Sequence, residues 1–218
     1  MRELEPESEK PSFREFGADI EAADKGPAIE SLLGIEGNAA RLYFGAIQGL
    51  VKVESKDESD LFRFDFNGRN RRPPKDPINA LLSLAYSMLT KDMSIACSAV
   101  GFDPMLGFYH RPRHGRPALA LDLMEPFRPL IADSAVMQAI NTRMVQPSDF
   151  ISAAGAVALR PEGRKAFYRA YELRMDSLVT HPLFDYRVSY RRLLEIQARL
   201  LGKMMQGEIG SYTVFVTR

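Results

Sequence analysis

The sequence predicts a mainly α-helical protein, and three features carry that prediction. Apolar residues recur at three- and four-residue steps in several long segments, which is the spacing of one face of a helix. The alternation of apolar and charged residues that is typical of a strand is confined to one short segment, Phe62–Phe66. No internal repeat or low-complexity run is apparent. With 218 residues, 45% of them apolar, the chain is long enough for one good-sized core or two small ones.

The first 25 residues differ from the rest because they are acidic and are interrupted by Pro6 and Pro11. Such a segment is typical of a linker or tail, with room for one short helix. We therefore predict an acidic tail over residues 1–25 and one α-helical domain over residues 26–218.

Within that domain, a first helix is expected from about Pro27 to Val53, followed by the Phe-rich strand and a turn at Asn67–Gly68. Asp76–Pro77 is a good helix start, because the aspartate can cap the first amides and proline suits the first helical position. Further helical segments are expected over about 118–140, 162–179 and 185–206. Pro126 cannot continue a regular helix, so a kink or a new helix start is expected near Glu125.

Charge is nearly balanced over the whole chain, at +1, but it is unevenly distributed. Residues 1–60 carry 7 Lys and Arg against 14 Asp and Glu, whereas the remainder carries 22 against 14. Arginine predominates in the second part, and its planar guanidinium binds two phosphate oxygens at once. This pattern is compatible with nucleic-acid binding but does not establish it, since helical proteins also carry arginine as solvated surface.

Cys97 is the only cysteine, so no disulfide can form within the chain. Neither a signal peptide nor an apolar run of the roughly 18–20 residues that span a bilayer is visible. We expect a soluble, cytoplasmic protein with no membrane partner.

Glu36 is the first candidate for chemistry. On a helix it would lie within an apolar stripe, and a buried carboxylate is costly unless it is paired or binds a metal. Gly34 and Gly37 flank it and would let a backbone or a ligand come close. Pairing with an arginine or capping by backbone amides is the structural alternative.

His110, Asp122 and Glu125 are the other candidates. Asp122 and Glu125 are three residues apart and would share a helix face, while His110 closes the apolar turn LGFYH. Carboxylates with one imidazole suit Mg²⁺ or Mn²⁺, which can polarise a phosphoryl oxygen and stabilise a leaving oxygen. A hydrogen-bonded histidine and a helix-capping acidic pair explain the same residues without a metal. His114 and His181 are expected at the solvated surface.

Four segments in this order, LLGIEGNAARLYF, NGRNRRPPKDPINALLSLAYSML, GFDPMLGFYH and GRPALALDLMEPFRPLIAD, closely resemble the helical C-terminal catalytic domain of the Cas1 family, the CRISPR-associated integrase/endonuclease. The resemblance implies an enzyme of CRISPR adaptation that inserts short DNA into the repeat array by attack of a DNA 3′-hydroxyl on a phosphodiester, and that can also nick or cleave DNA. It implies a divalent metal held by Glu36, His110 and Glu125, with Asp122 in support. The catalytic residues would then be these four.

The same resemblance implies DNA contacts near the catalytic face. They fall on Arg69, Arg71, Arg72 and Asn79. The implied partners are prespacer and CRISPR-repeat DNA and the small protein Cas2.

Family members also have an N-terminal β-rich domain that helps to pair two protomers, and the acidic residues 1–25 are too few to form it. Homodimerisation of this chain is therefore left open. Two alternatives stand beside the enzyme: a non-catalytic helical DNA-binding module, and an inactive fragment of a larger fusion protein.

Overall fold

The computed structural model describes residues 22–23, 29–53 and 62–217. The prediction of an acidic tail over residues 1–25 lies outside the described residues, apart from 22–23, which are helical. The α-helices are α1 (Ile29–Ala46), α2 (Pro77–Val100), α3 (Ala118–Met124), α4 (Ser134–Asn141), α5 (Pro161–Met175) and α6 (Tyr190–Met205). Short 3₁₀ turns (Ile47–Leu50, Pro147–Asp149) and a π-helical segment (Arg128–Asp133) complete the helical part. The mainly α-helical fold is thus confirmed.

Helix α2 is the centre of the fold, and it begins as predicted. The Asp76 carboxylate accepts a hydrogen bond from the Asn79 amide at 2.8 Å, and Pro77 occupies the first turn. The helix ends at Gly101, whose φ of 101° is open to glycine at little steric cost. Its buried residues include Ile78, Leu81, Leu82, Ala85 and Leu89, and α2 packs against α3 and α6.

The interruption expected near Glu125 is also observed. Helix α3 ends at Met124, and the chain resumes as the π-helical segment Arg128–Asp133 before α4. Pro126 and Pro129 each lack an amide hydrogen, so an unbroken α-helical hydrogen-bond ladder cannot pass this point. Glu125 lies in this break, three residues before Arg128.

The predicted strand at Phe62–Phe66 is wrong, because these residues are extended but pair with no other strand among the described residues. Their backbone is satisfied by one side chain instead. The Phe66 amide donates to Gln48 Oε1 at 2.6 Å, and Gln48 Nε2 donates to the Phe64 carbonyl at 3.4 Å. The alternation arises because Phe64 and Phe66 are buried while the charged residues between them face solvent.

The described strands lie elsewhere, in two antiparallel hairpins that the sequence patterns did not indicate. One hairpin pairs β1 (Phe150–Ala153) with β2 (Ala156–Leu159), and the other pairs β3 (Leu178–Thr180) with β4 (Arg187–Ser189). The second hairpin falls between the two long C-terminal helical segments and shortens both.

Most of the buried apolar side chains come from α2 to α6, and they form one continuous core. Cys97 contributes a buried free thiol to it. Among the described residues, no helix is both long and apolar enough to cross a membrane.

His181 was expected at the surface, and that prediction is wrong, since the residue is only 1% exposed. Its ring packs against Phe184 and Phe215, and Nδ1 accepts a hydrogen bond from the Leu183 amide at 3.2 Å. Burial lowers the pKa of His181 below its ordinary value of 6.5, because an imidazolium here would lose its hydration.

The buried His181 predicts a pH dependence of stability. Because the folded-state pKa is depressed, the unfolded chain takes up a proton that the folded chain refuses as pH falls through about 6.5. The free energy of unfolding should therefore decline more steeply between about pH 7 and pH 5 in the wild type than in His181→Asn, which keeps an acceptor for the Leu183 amide. Urea unfolding across that range measures both slopes, and equal slopes would contradict a buried neutral imidazole.

Candidate active site

The carboxylate of Asp122, on α3, holds the loop that carries His110. Its side chain is 1% exposed and accepts hydrogen bonds from the amides of Phe108, Tyr109 and His110 at 2.7, 3.0 and 2.8 Å. Three amide donors are a strong compensation for burying a carboxylate, so the loop is folded around this group.

Gly107 makes this close approach possible. A Cβ built on it would lie 2.7 Å from Ala118 backbone and side-chain atoms and 2.8 Å from Asp122 Oδ2. Any other residue would push the loop off the carboxylate, which accounts for glycine in the LGFYH turn.

Asp122 also orients the imidazole of His110. Nδ1 lies 2.6 Å from Asp122 Oδ1, so the proton shared by the pair sits on that side of the ring. Nε2 is then the atom with a lone pair to offer, in the arrangement by which a carboxylate commonly supports a metal-ligating histidine. The side chain is 17% exposed, which leaves its outer edge open to a ligand.

Glu36 is not on a buried face, and that part of the sequence interpretation is wrong. The residue is exposed on α1, and Leu33 in the same stripe is 48% exposed. Helix α1 is buried only through its later turns, at Leu42 and Phe44, so its first turns have no apolar cover among the described residues. Space is likewise open beside the glycines that flank Glu36.

Glu36 nevertheless reaches the His110 loop. The Tyr109 hydroxyl donates to Glu36 Oε2 at 2.6 Å. The pKa of Tyr109 is raised above its ordinary value by burial, then by this hydrogen bond and by the charges of Glu36, Glu125 and Asp122. The phenol therefore lies within the field of all three carboxylates.

Glu125, the first residue after α3, pairs with Arg128 at 2.7 Å. The Arg128 guanidinium also lies over the ring of Tyr86, 4.4 Å from its centroid. Burial by itself lowers the pKa of Arg128, but the charge of Glu125 and the hydrogen bond to its carboxylate outweigh burial and raise the pKa overall. Arg128 thus stays charged beside a candidate ligand.

Glu125 connects two hollows in the surface. It lines a cleft of about 880 Å³ together with His110, and a smaller hollow of about 230 Å³ together with Glu36. Arg71, Tyr86 and Arg128 line both. The three candidate ligands therefore surround adjoining spaces.

The donor set has the chemistry of an Mg²⁺ or Mn²⁺ site, with two carboxylates and an imidazole. Its geometry is not that of a closed site: among the residues that the structure describes, no three His, Cys, Asp or Glu side chains are gathered so that they could hold a metal ion. Glu36 and Glu125 instead each hold a protein donor. The metal site remains a prediction.

The larger cleft is strongly basic. Six arginines line it: Arg69, Arg71, Arg72, Arg113, Arg116 and Arg128. Arg69 is fixed by donating to Asn79 Oδ1 at 2.7 Å and to Ser83 Oγ at 3.1 Å. The sequence singled out only the first three of these arginines.

Asn79 does not face the cleft. Its side chain is 0% exposed, accepts from Arg69 and from the Asn70 amide, and donates to the Gly68 carbonyl and to Asp76. All its hydrogen-bonding capacity is used within the chain, so the DNA contact expected of Asn79 does not fit its position. The residue ties the Arg69 segment to the start of α2.

Sequence reasoning missed a fourth acidic residue, Asp133. It is buried and accepts hydrogen bonds from the hydroxyls of Tyr43 at 2.7 Å and Tyr86 at 2.6 Å. Burial raises the pKa of Asp133 despite both donors and the nearby charge of Arg128. The signal was present, since Asp133 interrupts the apolar run PLIADSAV much as Glu36 interrupts its own stripe.

Comparisons with known proteins agree on one family. The family model for CRISPR associated protein Cas1 matches residues 2–173. The chain is 54% identical over 200 residues to a Cas4 exonuclease/Cas1 endonuclease fusion of Geobacter sulfurreducens, covering 92% of this chain and 35% of that protein. It is 44% identical over 196 residues to a Cas1 endonuclease of Thermus thermophilus, covering 90% and 56% respectively.

Solved structures give the same result. A CAS1 protein from Thermotoga maritima superposes with a TM-score of 0.75 at 28% identity, covering 93% of this chain and 59% of that one. A casposase bound to integration product scores 0.74 at 25% identity, covering 86% and 50%. A Cas6-RT-Cas1–Cas2 complex scores 0.72 at 28% identity, covering 88% and 20%. The chain spans between about a third and somewhat over half of the curated relatives named above.

The role of Asp122 can be tested by Asp122→Asn. An amide at this position puts an N–H₂ against at least one backbone amide that itself donates, so at least one of the four bonds is lost. We expect a loss of about 1–3 kcal/mol in the free energy of unfolding and faster hydrogen exchange at the amides of residues 108–110.

Asp103→Asn is the matched control, because Asp103 is an exposed aspartate in the same loop and accepts only from the Met105 amide. It should leave exchange at residues 108–110 unchanged. Protection of those amides that is equal in Asp122→Asn and the wild type would show that the loop does not depend on this carboxylate.

Proposed function

This chain belongs to the Cas1 family, and from that premise we propose that it forms the catalytic part of a divalent-metal-dependent DNA integrase/endonuclease of CRISPR adaptation. The proposed reaction inserts short DNA into the repeat array by attack of a DNA 3′-hydroxyl on a backbone phosphodiester. One phosphodiester bond forms as another breaks, so the joining step needs no separate energy source. Hydrolytic nicking is the same displacement with water as the nucleophile.

The observation that carries the proposal is that His110 and Glu125 line the same arginine-rich cleft. Groups able to ligate a cation thus lie beside groups able to bind a polyanion. Phosphate contacts by arginine position DNA without reading its sequence, which suits an enzyme that acts on many different spacers.

Glu36, His110 and Glu125 are the residues that would hold Mg²⁺ or Mn²⁺, and such an ion would supply Lewis-acid stabilisation of charge on the phosphate and the leaving oxygen. Asp122 keeps the His110 ring turned so that Nε2 faces outward. Arg71 and Arg72, together with Arg113 and Arg116, would hold the phosphates on either side of the reacting one.

The proposed partners follow from the named relatives. One similar structure is a casposase bound to integration product, and another is a complex that contains Cas2. We propose that this chain likewise works on prespacer and repeat DNA together with Cas2.

A non-catalytic DNA-binding module is the second candidate. It is favoured by one observation, that Glu36 and Glu125 are engaged by Tyr109 and Arg128 rather than gathered around a common point. In that case the arginines bind the backbone and the acidic residues only pair with protein donors.

Assays of strand transfer and nicking distinguish the two functions. They compare the wild type, Glu36→Ala and His110→Ala in the presence of Cas2, with Mn²⁺ and with chelator. If the chain is an enzyme, the wild type should be active only with metal. That activity should fall about 10²-fold or more in either variant, since a metal contributes several kcal/mol to such chemistry. Glu162→Ala, an exposed glutamate at the start of α5, should retain activity.

Because Glu36 is exposed, its variant should unfold at the same temperature as the wild type. DNA binding that is salt-sensitive but indifferent to chelator, with no cleavage or joining by any variant, would support the binding module instead.

A further inference from the structure

We infer that, without metal, Tyr109 and Arg128 donate hydrogen bonds to two of the candidate metal ligands, and that a metal ion displaces both donors. Each displaced donor then becomes free to donate to a DNA phosphate. This inference rests on the proposed function. It makes Tyr109 and Arg128 competitors for metal and, at the same time, contributors to DNA processing.

The contact of Tyr109 is the first step of the argument. Its hydroxyl donates to Glu36 at 2.6 Å, while its own backbone amide is fixed on Asp122 at 3.0 Å. The ring is thus anchored through the main chain, independently of Glu36. Loss of the Glu36 contact would leave the hydroxyl beside His110, its neighbour in sequence, with a proton to donate.

Arg128 is arranged in the same way. It donates to Glu125 at 2.7 Å, but it is also held over the ring of Tyr86 at 4.4 Å. The Tyr86 hydroxyl in turn donates to the buried Asp133 at 2.6 Å, which Tyr43 also contacts. A cation–π contact of this kind survives when the carboxylate is withdrawn.

The electrostatic reason for such donors is that Glu36, Asp122 and Glu125 all act on one hydroxyl, that of Tyr109. Glu36 and Glu125 also line one hollow, and carboxylates that share a site repel one another unless positive charge or hydrogen-bond donors compensate them. Arg128 and Tyr109 provide that compensation. They also account for the absence, among the described residues, of a gathered ligand set.

The surface around Arg128 indicates where this side chain would act once it is released. Arg128 lines both the large arginine-rich cleft and the small hollow that contains Glu36. A guanidinium that leaves Glu125 therefore has phosphate-binding arginines as its neighbours. Guanidinium and phenol are both donors suited to phosphate oxygens.

The test is the binding of Mn²⁺ alone, by calorimetry, to the wild type, Tyr109→Phe and Arg128→Gln. Tyr109→Phe removes the donor on Glu36, and Arg128→Gln replaces the charged donor on Glu125 by a shorter, neutral amide, so Mn²⁺ should bind about two- to tenfold more tightly to each. Strand transfer at saturating Mn²⁺ should nevertheless fall in both. Tighter metal binding combined with weaker catalysis is a result that mere structural damage would not produce.

Matched controls separate competition from general electrostatics. Arg113→Gln removes a positive charge from the same cleft, and Tyr168→Phe removes a phenol hydroxyl from the exposed side of α5. Neither should tighten Mn²⁺ binding comparably. An equal gain in Arg113→Gln would overturn the inference for Arg128, because any nearby charge would then have the same effect.

Unchanged or weaker Mn²⁺ binding in both Tyr109→Phe and Arg128→Gln also overturns the inference. Should Arg128→Gln fold poorly, Tyr109→Phe still decides the question, because it keeps the ring and its packing. Failure of the proposed function would look different: Mn²⁺ would then bind equally to the wild type, Glu36→Ala and His110→Ala.

Discussion

The near-complete burial of the Asp122 carboxylate is the constraint on which the candidate site depends. A carboxylate removed from water is stable only if donors surround it, and here three consecutive amides and an imidazole do so. The loop therefore has little freedom to adopt another course. Asp122, three residues before Glu125, thus holds the backbone of Tyr109 and His110 in place. Tyr109 in turn makes the contact to Glu36.

Two other buried polar groups play comparable parts on either side of the cleft. Asn79 ties the Arg69 segment to the start of α2 and uses its whole hydrogen-bonding capacity in doing so. Asp133 joins Tyr43 of α1 to Tyr86 of α2. It therefore connects the helix that carries Glu36 to the tyrosine ring over which Arg128 lies. The site is thus assembled from separate segments by satisfied buried polar groups rather than by apolar packing alone.

Local sequence patterns predicted the structure correctly where the interaction that controls it is also local. The Asp76–Pro77 cap and the break near Pro126 each depend on residues within a few positions of one another. The three acidic candidates and the one histidine could be singled out because their types and order carry the resemblance to Cas1.

Sequence patterns led to wrong or missing predictions where the contacting residue is distant in sequence. Phe62–Phe66 alternates like a strand, yet its backbone partner is the side chain of Gln48. His181 is buried by Phe215, and Asp133 by tyrosines 90 and 47 residues away. Glu36 was misplaced because an apolar stripe does not reveal whether any residue covers it.

We propose that Glu36, His110 and Glu125 close around one divalent cation once it displaces Tyr109 and Arg128 from the two glutamates. Anomalous scattering from crystals grown with Mn²⁺ tests it most directly, because manganese is located without assumptions about its ligands. The account predicts one anomalous peak bound by these three side chains, with the Tyr109 hydroxyl no longer on Glu36. A peak bound by other residues, or none while the Tyr109–Glu36 and Arg128–Glu125 contacts persist at saturating Mn²⁺, would contradict it.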